Sequence, residues 1–154
     1  MAELQNVITT VANLENAIED ALRHEVADVV KNAIIMSAYE NVYKAYAPEF
    51  YSRRWGAGGI LDPNSIKIEV HGDTLIASDN AAWQQLWGGS VPGERLAEAI
   101  ASGDKRFNMQ EAGPRPFHQK AKEEAIYSGA AEDALRRGLA RQGIDTSGMT
   151  FTFT

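Results

Sequence analysis

The sequence contains no cysteine. Disulfide staples, thiolate nucleophiles and cysteine-ligated metals are therefore excluded, and cysteine usage says nothing about redox compartment. No apolar run approaches the ~18–20 residues that a membrane span requires. The opening MAELQNVITTVANLENAIED has neither a basic start nor an apolar block, so it does not read as a secretory signal. Synthesis in the cytoplasm is the expectation. Basic charge is in deficit: 15 Lys and Arg stand against 21 Asp and Glu, a formal net charge of −6. General or sequence-specific nucleic-acid binding needs clustered Lys and Arg and is not expected. Internal repeats and low-complexity segments are also missing. The 154 residues suffice for a single domain, 1–154, with a buried core.

What is present organises the chain into five stretches. Residues 1–47 read as one long helix, with Val11, Leu14, Ile18, Leu22, Val26 and Val29 in a regular stripe. At 1.5 Å per residue such a helix would be roughly 65–70 Å long, more than a small domain covers. It is expected to break near Thr9–Thr10 or to pack its first turns on another subunit. Pro48 should end it, because the residue before proline avoids helical backbone angles. Residues 48–65 form a loop rich in arginine and glycine. Residues 66–91 are a β-hairpin region: SIKIEV alternates, HGD is a tight turn, and TLIAS follows, with the alternation fading after Ala77. Residues 92–113 hold a short helix, GERLAEAIASGD, and an irregular connector. Residues 114–154 carry a helix starting near Pro116, where proline's missing N–H is harmless, and ending at Gly143. Its apolar face drifts at residues 127–131, which implies a kink or two helices. Gly129 and Gly138 are each expected to weaken it by about 1 kcal/mol relative to alanine if exposed. MTFTFT closes the chain as an alternating edge strand. The fold class is α+β: a long N-terminal helix and a C-terminal helix packed on a small antiparallel sheet.

Charge is unevenly distributed. Residues 1–47 carry seven acidic and three basic side chains, whereas residues 135–142 carry Arg136, Arg137 and Arg141 and no acid. The basic cluster either opposes a helix dipole at its C-terminus or forms one pole of a head-to-tail contact between copies.

The chain holds few groups suited to catalysis. His24 opens HEVAD, where a zinc protease would need a second histidine at position 28, which is Asp28. His71 lies in a hairpin turn, and His118 on the first turn of a helix is expected to be exposed. Asp62, Asp73, Asp79 and Glu69 could be grouped as a nuclease cluster, but aspartates beside Pro, Gly and Asn are usually turn formers. Phosphate-loop, nucleophile-elbow and dinucleotide motifs are absent. No catalytic residue, metal site or cofactor is expected. Trp55, Trp83 and Trp87 sit in or beside glycine-rich segments, either as small satellite cores or as interface anchors. Tyr51, Arg53, Arg54, Trp55 and Asp62 form a candidate docking loop.

At AGPRPFHQKA a family resemblance enters. Arg115-Pro116-Phe117 with Ala121 resembles the motif opening the last helix of the tail-completion (neck) proteins of long-tailed, lambda-like phages and prophages. GGILDPNSI at 58–66 is similar to that family's entry into the sheet, and Ala82 and Gly88 match the spacing of its Ala…Gly pair. YSRRWGAGGILDPNSI and SGAAEDALRRGLARQGID are similar to the variant found in prophages of Gram-positive bacteria. The resemblance covers roughly residues 14–145, with residues 92–113 as an insertion. It implies a structural virion protein at the head–tail junction, one copy in a ring. Its partners would be further copies of itself, a head connector or stopper, and a tail terminator or tail tube. Arg115, Pro116, Phe117 and Ala121 then take packing roles, with Arg115 paired to an acid on the N-terminal helix or on a neighbour. Residues 50–65 become an assembly loop. Two other readings remain: a small metal-dependent nuclease or toxin-type enzyme of a prophage, and a cytoplasmic adaptor that binds through its long helix.

Overall fold

The computed structural model describes residues 1–45, 58–81, 83–85, 89–91, 93–103 and 115–154; for residues 83–85, 89–91, 93 and 94 it describes the backbone alone. Helix α1 spans Ala2–Ala21 and continues through a π-helical turn, Leu22–Val26, into α2, Ala27–Ala38. A second π turn, Tyr39–Tyr43, ends it. The expected break at Thr9–Thr10 does not occur. Each threonine hydroxyl donates to the carbonyl four residues back, Gln5 O and Asn6 O, at 2.9 Å, and so is satisfied without leaving the helix. The helix closes with Lys44 N–H on Tyr39 O. Pro48, the expected terminator, lies outside the described residues.

Each π turn inserts a residue into the hydrogen-bond ladder and rotates the side-chain face. The buried positions therefore follow the predicted stripe only in part. Leu22 and Val26 are buried, but Val11 is exposed and the most deeply buried positions are Ala21 and Ala38.

Strands β1, Ile66–His71, and β2, Thr74–Asp79, form the expected antiparallel hairpin. Gly72 supplies the positive φ (+61°) of its turn. Ile66 and Val70 are buried while Lys67 and His71 face out, as the alternation requires. A second antiparallel pair, β3, Trp83–Gln85, and β4, Gly89–Val91, aligns Trp83 with Val91. It falls within residues 66–91, beyond the point where the alternation fades. Helix α3, Gly93–Ser102, occupies the predicted short-helix segment. The C-terminal helix is two: α4, Phe117–Tyr127, and α5, Ala130–Arg141. Gly129 between them has φ +78°, a conformation that resolves the drift in the apolar face. The fold class is α+β.

The residues expected to form one domain divide into two compact units. The first comprises Met1–Val29, Ile68–Ile76 and Ala125–Thr154. Its centre is α1 against α5, packed through small residues. Ala17, Ala21, Ala131, Ala134 and Gly138 are all buried there, with Leu135 and Leu139. Gly138 is thus buried, and does not weaken an exposed helix. A Cβ added to it would lie 2.5 Å from Ala21 Cβ and 2.9 Å from Ala21 Cα. Only glycine permits this approach. Gln142 Nε2 donates to Ala17 O at 2.9 Å. Arg141 reaches Asp20 and Glu25, the latter at 2.6 Å.

The arginine cluster divides: Arg141 lies in the last turn of α5, as the helix-dipole expectation has it, and Arg136 does not. Arg141 ties α5 to the acidic flank of α1 and the following π turn. Arg136 binds Glu132 and donates to Thr146 O at 2.7 Å and Met149 O at 2.8 Å. Its guanidinium also sits 4.9 Å from the Phe151 ring centroid. These contacts correct the expected edge strand: residues 149–154 form no strand. Arg136 holds the start of this segment through the Met149 carbonyl, and among the described residues no strand pairs with it.

The second unit comprises Val30–Lys67 and Ala77–Glu124. Phe117 is fully buried and Ala121 nearly so, among a core that includes Ile34, Ala38, Leu96 and Ile100. Ser37 Oγ donates to Phe117 O at 2.7 Å and Lys120 Nζ to Asn41 Oδ1 at 2.6 Å, so α4 is tied to the helix ending at Tyr43.

Candidate functional site

Two features of the described residues lack an internal explanation. One is a pocket of about 290 Å³ within the second unit. Its wall is Ala77, Ala97 and Ala101, and its polar groups are Ser78, Asp79, Glu98 and His118. Strand β2 delivers Ser78 and Asp79, α3 delivers Glu98, and the first turn of α4 delivers His118. Asp79 is 2% exposed. Its Oδ1 accepts the Ala81 N–H at 2.8 Å, which turns the chain out of β2. That is the turn-forming role expected of such aspartates. Its second oxygen, Oδ2, is buried and has no hydrogen-bond partner among the described residues. Burial pushes the Asp79 carboxyl up to about 6, against the opposing pull of the Ala81 N–H.

His118 is half-buried with its Nε2 in the same condition, buried and without a partner among the described residues. Its ring packs on Phe117, centroids 4.2 Å apart, and burial lowers its pKa. This corrects the expectation of an exposed residue. Position 118 flanks the stripe Phe117–Ala121–Ala125, and nothing in the spacing distinguishes a solvent edge from a pocket edge. No hydrogen bond links His118 to Asp79, so the pair is not assembled as a proton relay. What the pocket offers, among the described residues, is a few polar side chains on small apolar walls.

The other feature is the start of α1. Leu4, Val7, Ile8 and Val11 are 51–61% exposed. Their spacing of three, one and three residues places them on one face, which no described residue covers. Glu3, Glu15 and Glu19 lie on the same helix, and its first base is Arg23, in the π turn beyond α1.

The residues singled out from the sequence fare unevenly. Tyr51, Arg53, Arg54, Trp55 and Trp87 lie outside the described residues, and of Trp83 only the backbone in β3 is described. Asp62 has both carboxylate oxygens engaged in its own loop. Oδ2 accepts from Gly58 N–H at 2.7 Å, and Oδ1 from Asn64 N–H at 2.9 Å. The Gly58 and Asn64 amides hold its pKa down. Arg115 is buried, and its backbone N–H donates to Ile100 O and Ala101 O at 3.1 Å, closing the end of α3. Phe117 and Ala121 take the buried positions already described, whereas Pro116 is exposed just before the first turn of α4. His24 is exposed and bonds only within its helix, at Asp20 O. His71, the last residue of β1 rather than a turn residue, and Asp73, in the turn, are both exposed. The imagined nuclease cluster does not form: among the described residues no three acidic or histidine side chains are placed to hold a metal ion.

The family model described as YomN matches residues 1–141. No curated protein and no solved structure matches.

Proposed function

The chain belongs to the YomN family, associated with Bacillus phages and prophages, and from that premise we propose that it is a structural component of the phage particle. Specifically, it acts as a tail-completion protein, one copy in a ring at the head–tail junction, contacting further copies of itself, a head connector and the tail tube. The observation that carries this reading is the uncovered apolar face of α1. Four large aliphatic side chains held in water on a regular helix mark an interaction surface rather than a folding device. The Arg-Pro-Phe motif supports it: Phe117 and Ala121 are spent on packing and Arg115 on closing α3, so the motif builds a scaffold. The loop of residues 50–65 supplies a further docking element in this reading.

The test is peptide mass spectrometry of particles purified from an induced culture, quantified against the portal protein. One ring's worth of chain per particle is the expected result, and absence from particles with abundant chain in the lysate would refute it. Val7→Lys with Val11→Lys should leave the chain folded, since both side chains are exposed, and should deplete it from particles. Full incorporation of that double variant would remove the apolar face from the argument.

A further inference from the structure

We propose that the uncovered face of α1 docks into an apolar groove rimmed by lysine or arginine on a different protein. This partner rests on the assembly reading of that face. Glu3, Val7, Val11 and Glu15 are spaced four apart and form one ridge along the helix. Leu4 and Ile8 lie beside it, each one residue on from a member of the ridge. The ridge is thus aliphatic in the middle and carboxylate at both ends, with the carboxylates about 18 Å apart along the axis. Both glutamates are exposed, and among the described residues neither makes an ion pair or hydrogen bond through its side chain. Glu19 and Asp20, by contrast, are held by Arg23 and Arg141. Residues 1–22 contain no lysine or arginine.

Each carboxylate lies one turn from a valine, so a partner that covers the aliphatic middle also reaches both ends. Taking a carboxylate out of water without a counter-charge is costly. The rim that meets the two ends therefore carries cations, and the floor between them is apolar, as in helix-in-groove recognition. A second copy of the chain does not meet this need. Its α1 brings the same ridge, and matching the valines sets acid against acid in either direction. Glu3 faces Glu3 and Glu15 faces Glu15 in a parallel pair, and Glu3 faces Glu15 in an antiparallel one. Like charges so placed oppose association.

Fluorescence anisotropy with the full chain tests the chemistry. The probes are two labelled amphipathic helical peptides with the same leucine face, one flanked by lysine and the other by glutamate. The lysine probe is expected to saturate and to bind at least about tenfold more tightly than the glutamate probe at low salt, the difference shrinking as salt rises. Glu3→Gln with Glu15→Gln should weaken the lysine probe about three- to tenfold. Glu3→Lys with Glu15→Lys should reverse the preference although the chain's net charge stays negative, which separates the ridge from general attraction to an acidic protein. The proposal is overturned if the lysine probe does not saturate, if the glutamate probe binds equally well, or if the charge-swapped chain still prefers lysine. Sedimentation equilibrium supplies a further test: a wild-type dimer that is lost in Val7→Lys with Val11→Lys would make a second copy the occupant and overturn it too. Particles separate this partner from the assembly reading. Loss of the Val7, Val11 variant with full incorporation of the charge-swapped one would keep that reading and refute the basic rim.

Discussion

Gly138→Ala should destabilise the first unit, although the same change on an exposed helix would stabilise it. Alanine is favoured over glycine in a helix interior by about 0.8–1.0 kcal/mol. At this site the new Cβ meets Ala21 Cβ at 2.5 Å, Ala21 Cα at 2.9 Å and a Glu25 carboxylate oxygen at 2.7 Å. The carboxylate can move, but Arg141 holds it at 2.6 Å through its other oxygen. The backbone at Ala21 cannot retreat without separating α1 from α5. Overpacking of this kind costs about 1–3 kcal/mol, and two contacts below 3 Å with one rigid residue place it in the upper part of that range. The net expectation is a loss of about 1–2 kcal/mol, or about 2–8 °C in melting temperature for a chain of this size. Urea unfolding followed by far-UV circular dichroism measures it. Adding Ala21→Gly removes the 2.5 Å contact and leaves the 2.9 Å one, so the double variant should recover part of the loss relative to Ala21→Gly alone, a coupling of about 0.5–1 kcal/mol. An unchanged or raised midpoint in Gly138→Ala, with no coupling to position 21, would refute the close approach of the two helices.

Two pH-dependent predictions follow from buried and bridged carboxylates. Arg141 hydrogen-bonds Asp20 and Glu25 and holds both below their ordinary 3.8 and 4.5. Depressed carboxylates stabilise the fold above the ordinary values and lose that contribution as pH falls through the folded ones. Arg141→Ala should therefore lower the urea midpoint at pH 7 by a small, salt-sensitive amount. The difference should close in acid, and a gap that persists unchanged would count against the bridge. Asp79 behaves in the opposite sense. Its carboxyl is raised from 3.8 to about 6, so the folded chain binds the extra proton and stability falls as pH rises from about 4 to 6. A gap of about two pH units corresponds to at most about 3 kcal/mol. The decline should be absent in Asp79→Asn, and a decline of equal size in that variant would show that another group carries it.

The elements were legible in the sequence because their causes are local. Alternation of Ile66, Ile68 and Val70 specifies a half-buried strand, Gly72 a tight turn and Pro116 a helix start, whatever lies beyond. The same logic anticipated the division near Gly129 and the packing roles of Phe117 and Ala121. The uncovered face of α1 was legible as well, since a long amphipathic helix outruns the core that a small chain can supply. Small residues hid the rest. Ala17, Ala21 and Gly138 carry almost no hydrophobic signal, yet they allow the closest helix contact of the first unit. The π turns, which shift the face, leave no mark in spacing.

The chain's amino-acid order thus determined where its helices, first hairpin and caps lie, because φ preferences and periodicity act over a few residues. Tertiary structure alone decided what each polar group faces. Arg136 and Arg141 looked alike in sequence; one holds the C-terminal segment and the other bridges to α1 and its π turn. Asp62 and Asp79 both make turns, but Asp62 engages both oxygens in its own loop while Asp79 is left with one buried oxygen that has no partner among the described residues. Burial and partners are properties of segments brought together across many residues, and no local pattern encodes which segment will arrive.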